Sequence, residues 1–200
     1  DDFLFDPEYR HLLGSAREGG GAVVINLNVG RQIARIPTTG LPHLGSGISW
    51  VVAEGDRKGH RLVAMPNLKE ARLSVIDMAD WSLVAQVETL GPGFFMRSHE
   101  ASAYAWTDVM MGSAKDNLQI FDKASLKLVA TLKPEPGKTA AHVEFDRYGR
   151  HALVSLWEND GAVVVYDAAT LKEVKRIPMS KPSGKYNVYN KITFSEGTSH

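Results

Sequence analysis

One unit recurs four times along the chain, and that recurrence limits the possible folds more than any other feature of the sequence. Each unit has an apolar run closed by Asn or Asp, at Asn26, Asp77, Asp122 and Asp167. Seven residues later stands Ile33, Val84, Val129 or Val174, and three further on Ile36, Val87, Leu132 or Ile177. The closing residues are 51, 45 and 45 positions apart. An apolar run ended by Asn or Asp reads as a strand stopped by a side chain that bonds local backbone in a turn. The alternating stretch after it, clearest at Glu173-Val174-Lys175-Arg176-Ile177, reads as a second strand.

Two more strands precede each closing residue. The clearest are Val143-Glu144-Phe145 and Ala152 to Trp157, joined by a turn at Arg147-Tyr148-Gly149-Arg150. Glu158-Asn159-Asp160-Gly161 makes the next hairpin turn, where Gly suits a backbone with positive φ. Four antiparallel strands in a period of about 45 residues describe a β-propeller blade. The all-β alternative, a sandwich of irregular hairpins, does not explain a spacing kept to the residue. The expected fold is therefore about four blades, ending near 36, 87, 132 and 177, with 178–200 as a closing segment. The chain is expected to begin inside a blade and to run past its fourth repeat. That makes all of 1–200 the C-terminal part of one larger ring of seven or eight blades. Asp1-Asp2-Phe3 brings neither an initiator Met nor a signal peptide, so an N-terminal part is expected to be missing.

Composition excludes some partners. Lys plus Arg and Asp plus Glu both number 23, so nothing electrostatic points to nucleic acid or to an anionic membrane. No apolar run approaches the roughly 20 residues that span a bilayer. With no Cys, this stretch holds no disulfide, no Cys-based zinc site and no covalently attached c-type haem.

In a propeller, the connection from one blade's outer strand to the next blade's inner strand brings residues to one mouth of the central channel. Counted from the closing Asn or Asp, His43 and Phe94 lie 17 positions on, His142 lies 20 on and Tyr186 lies 19 on. Two His, a Tyr and a Phe thus converge by topology alone. His43, in a loop shaped by Pro42, Gly45 and Gly47, reads as a ligand to a metal or haem iron, as a proton donor near neutral pH, or as a solvated loop His. His142 reads as a general acid or base, or as a core His bonded to backbone. Tyr186 reads as a proton-handling group, or as an aromatic that fills the channel. Phe95 is a candidate contact for a planar ligand, while Phe94, Trp106 and Trp157 read as blade packing. Arg97 is a candidate partner for carboxylates, or else a solvated strand-end charge. His11, His60, His99, His151 and His200 read as turn or surface residues.

The stretch from His142 through Trp157 to Pro182-Ser183-Gly184-Lys185-Tyr186-Asn187-Val188-Tyr189-Asn190 resembles the end of the haem d1 domain of cytochrome cd1 nitrite reductases. Pro42-His43-Leu44-Gly45-Ser46-Gly47 resembles the segment that carries one of that family's two distal-side histidines. The resemblance runs over essentially the whole chain and implies an eight-bladed propeller with haem d1 in its mouth. Three departures stand out. Phe3-Leu4-Phe5-Asp6 takes the place of the reductases' Phe-Leu-His-Asp, His142 stands where they carry Gln, and Lys191 to His200 ends differently. These features are more similar to the dihydro-haem d1 dehydrogenases, a sister family of haem d1 biosynthesis with an N-terminal c-type cytochrome domain.

That resemblance implies a tetrapyrrole substrate, haem d1 or dihydro-haem d1 as bound group, and a c-type haem on the missing N-terminal part. It also implies a periplasmic location, with a nitrite reductase or another haem d1 biosynthesis protein as partner. His43 would ligate the iron. His142 and Tyr186 would take protons as a propionate becomes an acrylate. Ser183 and Gly184 would contact the macrocycle through hydroxyl and backbone N–H, beside Phe95 and Arg97. Two alternatives remain: a nitrite reductase, in which Phe5 is not the equivalent position, and a propeller that carries haem d1 or scaffolds other proteins without catalysis.

Overall fold

The structure, a computed structural model, describes residues 2–15 and 21–183. These form four antiparallel sheets of four strands, each sheet in simple chain order. The first contains β1 (Asp2–Phe5), β2 (His11–Ser15), β3 (Ala22–Asn26) and β4 (Arg31–Ile36). The second contains β5 (Ile48–Val51), β6 (Arg61–Pro66), β7 (Arg72–Asp77) and β8 (Leu83–Glu88). The third contains β9 (Met96–Ser98), β10 (Tyr104–Asp108), β11 (Leu118–Asp122) and β12 (Lys127–Leu132). The fourth contains β13 (Ala140–Phe145), β14 (His151–Leu156), β15 (Ala162–Asp167) and β16 (Glu173–Pro178). The first sheet has all four of its strands, so the described chain opens on a whole blade and not inside one.

The repeated Asn or Asp ends the third strand of every blade for one reason. Its side-chain oxygen accepts backbone N–H groups just ahead: Asn28 for Asn26, Ala79 for Asp77, Ser125 for Asp122, and Ala169 and Thr170 for Asp167. Four residues on, Gly30, Trp81, Leu126 and Leu171 all take positive φ, and each N–H returns to the carbonyl of the Asn or Asp. The register shifts at the same step in all four hairpins, just before that residue. Such a bulge sharpens the local twist of the strand pair.

Packing between blades makes the core. Leu13, Val24 and Ile36 of the first blade meet Val63, Met65 and Ile76 of the second. Ile48, Trp50, Leu62 and Val75 of the second meet Met96, Ala105 and Phe121 of the third. Trp106, Leu118 and Ile120 of the third meet Val143, Phe145, Val154 and Tyr166 of the fourth. Successive residues such as Leu62 and Val63 therefore bury against opposite neighbours, which is why the middle strands read as unbroken apolar runs. Burying each large side chain contributes roughly 1.5–3 kcal/mol.

One local expectation is corrected. Gly161 has no positive φ. It is required because a Cβ there would overlap the carbonyl oxygen of Leu156 and lie 2.7 Å from that of Glu158. Among the described residues Trp157 joins none of the apolar clusters between blades. It sits one residue past β14, is 46% exposed, and gives its N–H to Thr139 O.

Candidate functional site

Three connections between blades, β4 to β5, β8 to β9 and β12 to β13, run to the same end of the sheets. They bring His43, Phe94 with Phe95, and His142 into a continuous row of rings. His43 packs edge-on against Phe94 with centroids 4.3 Å apart. Phe94 and Phe95 lie 4.6 Å apart, and Phe95 meets His142 edge-on at 4.5 Å. The Phe rings are half-buried and both imidazoles are largely buried.

His43 is the N-cap of a short 3-10 turn, Leu44–Ser46, and its backbone N–H donates to Pro66 O at 2.8 Å. Its Nδ1 lies 2.5 Å from Phe94 O. A carbonyl only accepts, so Nδ1 carries the proton and Nε2 the lone pair in the neutral ring. Backbone fixation of one ring nitrogen is the usual arrangement behind a metal-ligating His. The donor set therefore suits a ligand to iron. Nε2 also lies 3.9 Å from the carboxylate of Asp2, which accepts the Gly45 N–H at 3.0 Å.

His142 is held differently. The pairing of β13 with β14 passes from Ala141–Ser155 to Glu144–Leu153, so two residues face one across the bulge. His142 is in that bulge with φ at 53°. A left-handed backbone costs an L-residue roughly 1–2 kcal/mol. Bulges of this kind re-aim a side chain beside a site.

A polar residue just at or after the second strand of three blades fastens the incoming connection. Buried Asn67 accepts the N–H groups of Leu41, Lys69 and Glu70 and donates to Thr39 O. Asp108 accepts those of Phe94 at 2.7 Å and Phe95 at 3.0 Å. Glu158 accepts the N–H and hydroxyl of Thr139. Burial pushes the Asp108 carboxyl up to about 6, against the pull of the backbone N–H groups that surround it. The Thr139 bonds, with Lys115, hold the Glu158 carboxyl down at about 2.

Residues 1–191 match the family described as the cytochrome D1 heme domain. The chain belongs to this family. It is 54% identical over its whole length to a dihydro-heme d1 dehydrogenase of Pseudomonas aeruginosa, of which it spans 40%. A nitrite reductase of Stutzerimonas stutzeri is 26% identical over 93% of the chain, which covers 38% of that protein. Among solved structures, the dihydro-heme d1 dehydrogenase NirN in complex with DHE superposes with a TM-score of 0.90 at 54% identity. That match covers 96% of this chain and 40% of the other. A hydrazine synthase of Kuenenia stuttgartiensis, at 13% identity and a TM-score of 0.69, shares the fold.

The remaining candidates of this d1-domain chain are placed as follows. Arg97 on β9 is buried, with its Nε 3.7 Å from Oε2 of Glu144 on β13, so its carboxylate partner is internal. Ser183 is exposed beyond β16, while Gly184 and Tyr186 lie outside the described residues. Phe94 joins the row of rings instead of packing inside a blade. His99 is a turn residue, yet buried; its Nδ1 accepts the Ala101 N–H.

Phe5 requires a correction. Asp2, at the start of β1, is the residue beside His43, whereas Phe5 pairs with Leu12 at the far end of the strand. Three residues of strand separate them by roughly 10 Å. Phe5 lies with Phe3 and Tyr9 on the face of the first blade opposite to Leu4, which packs toward the second, and its place at the far end of β1 keeps it from the position of a distal histidine beside His43. Asn67 and Asp108 were not legible as site residues. The only sequence signal was a polar residue at the end of an apolar strand, which is common in any β-protein.

Proposed function

We propose that this chain forms part of the tetrapyrrole-binding propeller of a dihydro-haem d1 dehydrogenase, the substrate being dihydro-haem d1. The row His43–Phe94–Phe95–His142 carries the reading, because it sets an imidazole fixed through Nδ1 and a second imidazole in a strand bulge at the two ends of one run of aromatic rings. The 54% identity to the Pseudomonas aeruginosa dehydrogenase supports it.

His43 would hold the substrate's iron through Nε2 and so fix the macrocycle over the mouth. Phe95 would lie against its plane. His142 takes a proton from one carbon of a propionate CH₂–CH₂ unit. Tyr186 serves the other carbon, and Ser183 and Gly184 bind the macrocycle edge. Two C–H bonds break and one C=C bond forms, so two protons and two electrons leave and the propionate becomes an acrylate. The two electrons leave in successive one-electron transfers to an acceptor outside this chain that is reoxidised between them, a part that a c-type haem would fill on the family reading. On the same reading the protein would work in the periplasm, with haem d1 biosynthesis proteins or a nitrite reductase as partners. Among the described residues no helix is long and apolar enough to cross a membrane. As part of a larger ring, residues 1–200 would contribute its C-terminal blades.

The test uses full-length protein, dihydro-haem d1 and an electron acceptor under anaerobic conditions, followed by the visible spectrum. Conversion to the haem d1 spectrum faster than without protein is expected, with loss of conversion but not of binding in His142→Ala and Tyr186→Phe. Equal turnover in both variants would sink the proton-transfer roles. A shifted but static spectrum would point to a carrier, and nitrite turnover to a reductase.

A further inference from the structure

Asp108 takes no part in the steps above, yet both histidines of the mouth depend on the backbone it holds. It ends β10, is 1% exposed, and receives backbone hydrogen from two separate connections. From the β8–β9 connection come the N–H groups of Phe94 and Phe95, and from its own turn that of Met110 at 3.4 Å. The Phe94 peptide that donates to Asp108 is followed by the carbonyl that accepts the His43 Nδ1 proton. The Phe95 ring, anchored by its own N–H, supports the His142 ring.

We propose that Asp108 is a positioning residue for both histidines, setting the tautomer of His43 and the direction of His142 from one buried carboxylate. The role in catalysis rests on the reading of His43 as iron ligand and His142 as proton acceptor; the role in orienting the rings does not. Chemistry explains why the residue is an Asp. Two carboxylate oxygens supply up to about four acceptor sites and no donor. Asn would turn an N–H₂ group toward backbone donors on one side. The equivalent groups Asn67 and Glu158 each fasten a connection leading into their own blade. Asp108 differs because the connection it fastens carries both the carbonyl that fixes His43 and the ring that meets His142 in the following blade.

The test compares full-length wild type with Asp108→Asn, and with Asp108→Glu, which keeps the charge but displaces it by one methylene. In protein without tetrapyrrole, imidazole ¹⁵N spectra should show His43 protonated at Nδ1 in wild type and as a tautomer mixture in both variants. With dihydro-haem d1, both variants should show altered ligand-field bands. Turnover at saturating substrate should fall roughly 10- to 100-fold, the scale expected for a misplaced reacting group, with a much smaller change in KM. A general loss of folded protein would not produce that split per tetrapyrrole bound. An unchanged His43 tautomer in the variants overturns the proposal whatever the turnover. Normal wild-type spectra with no turnover in any form would instead remove the dehydrogenase reading and leave the orienting role standing.

Discussion

Gly93→Ala tests whether the turn that carries Phe94 and Phe95 is wedged in place. A Cβ at Gly93 would overlap the carbonyl oxygen of Asp108 and come within 3.3 Å of Pro66 Cβ. Both neighbours belong to strands, so neither gives way as a flexible side chain would. Forcing the methyl group in should cost roughly 1–3 kcal/mol of overpacking. The displaced turn would also weaken the Phe94 and Phe95 N–H bonds to the buried carboxylate, and a hydrogen bond to a charged group contributes roughly 1.5–3 kcal/mol. Loss of one such bond brings the total to about 3–6 kcal/mol. Urea unfolding of full-length protein would measure it, with Gly14→Ala as the comparison. At Gly14 the nearest atom to a new Cβ is Leu12 Cδ2 at 3.4 Å, and the change should stay within about 0.5 kcal/mol. Gly93→Ala should also disturb the His43 tautomer, because the Phe94 carbonyl moves with the turn. Equal midpoints for the two variants and an undisturbed tautomer would refute the wedge.

Two further outcomes follow from groups already described. Asp108 titrates near 6 when folded, above its ordinary 3.8, so the folded state holds its proton more tightly. Its contribution to stability is complete below about 3.8 and is lost as pH rises through about 6, a change on the order of 3 kcal/mol. Urea midpoints from pH 4 to 7 should show this fall in wild type and lack it in Asp108→Asn. Leu171 has a φ of 60°, so Leu171→Gly should be the more stable of two truncations, exceeding Leu171→Ala by about 1 kcal/mol in thermal or urea unfolding.

The blade repeat was legible because each unit spells the same local chemistry: an apolar strand, an Asn or Asp that bonds the turn, and an alternating partner. The convergence of His43 and His142 followed from counting positions between blades. What bridges them did not. Phe94 looks like any strand-end aromatic until its carbonyl is seen beside His43 Nδ1, and Asp108 looks like any turn-forming Asp. The bulge at His142 was equally hidden, since a left-handed non-Gly residue carries no compositional mark. Phe5 was misplaced because a short motif match aligns letters without stating which end of a strand faces the mouth. The approach of Arg97 to Glu144 was hidden as well, because the two residues belong to different blades.

The mouth rings are rooted in three different sheets, and the sheets are joined by apolar contact instead of by shared ladders of backbone hydrogen bonds. The span from His43 to His142 is thus a gauge of how blades sit against one another. Slippage at Trp106 or Phe121, deep between sheets, would travel to the mouth as misalignment without breaking a single strand pairing. A rigid flat ligand seated across the three connections would act in the opposite sense, as a brace that ties neighbouring sheets together and resists their separation.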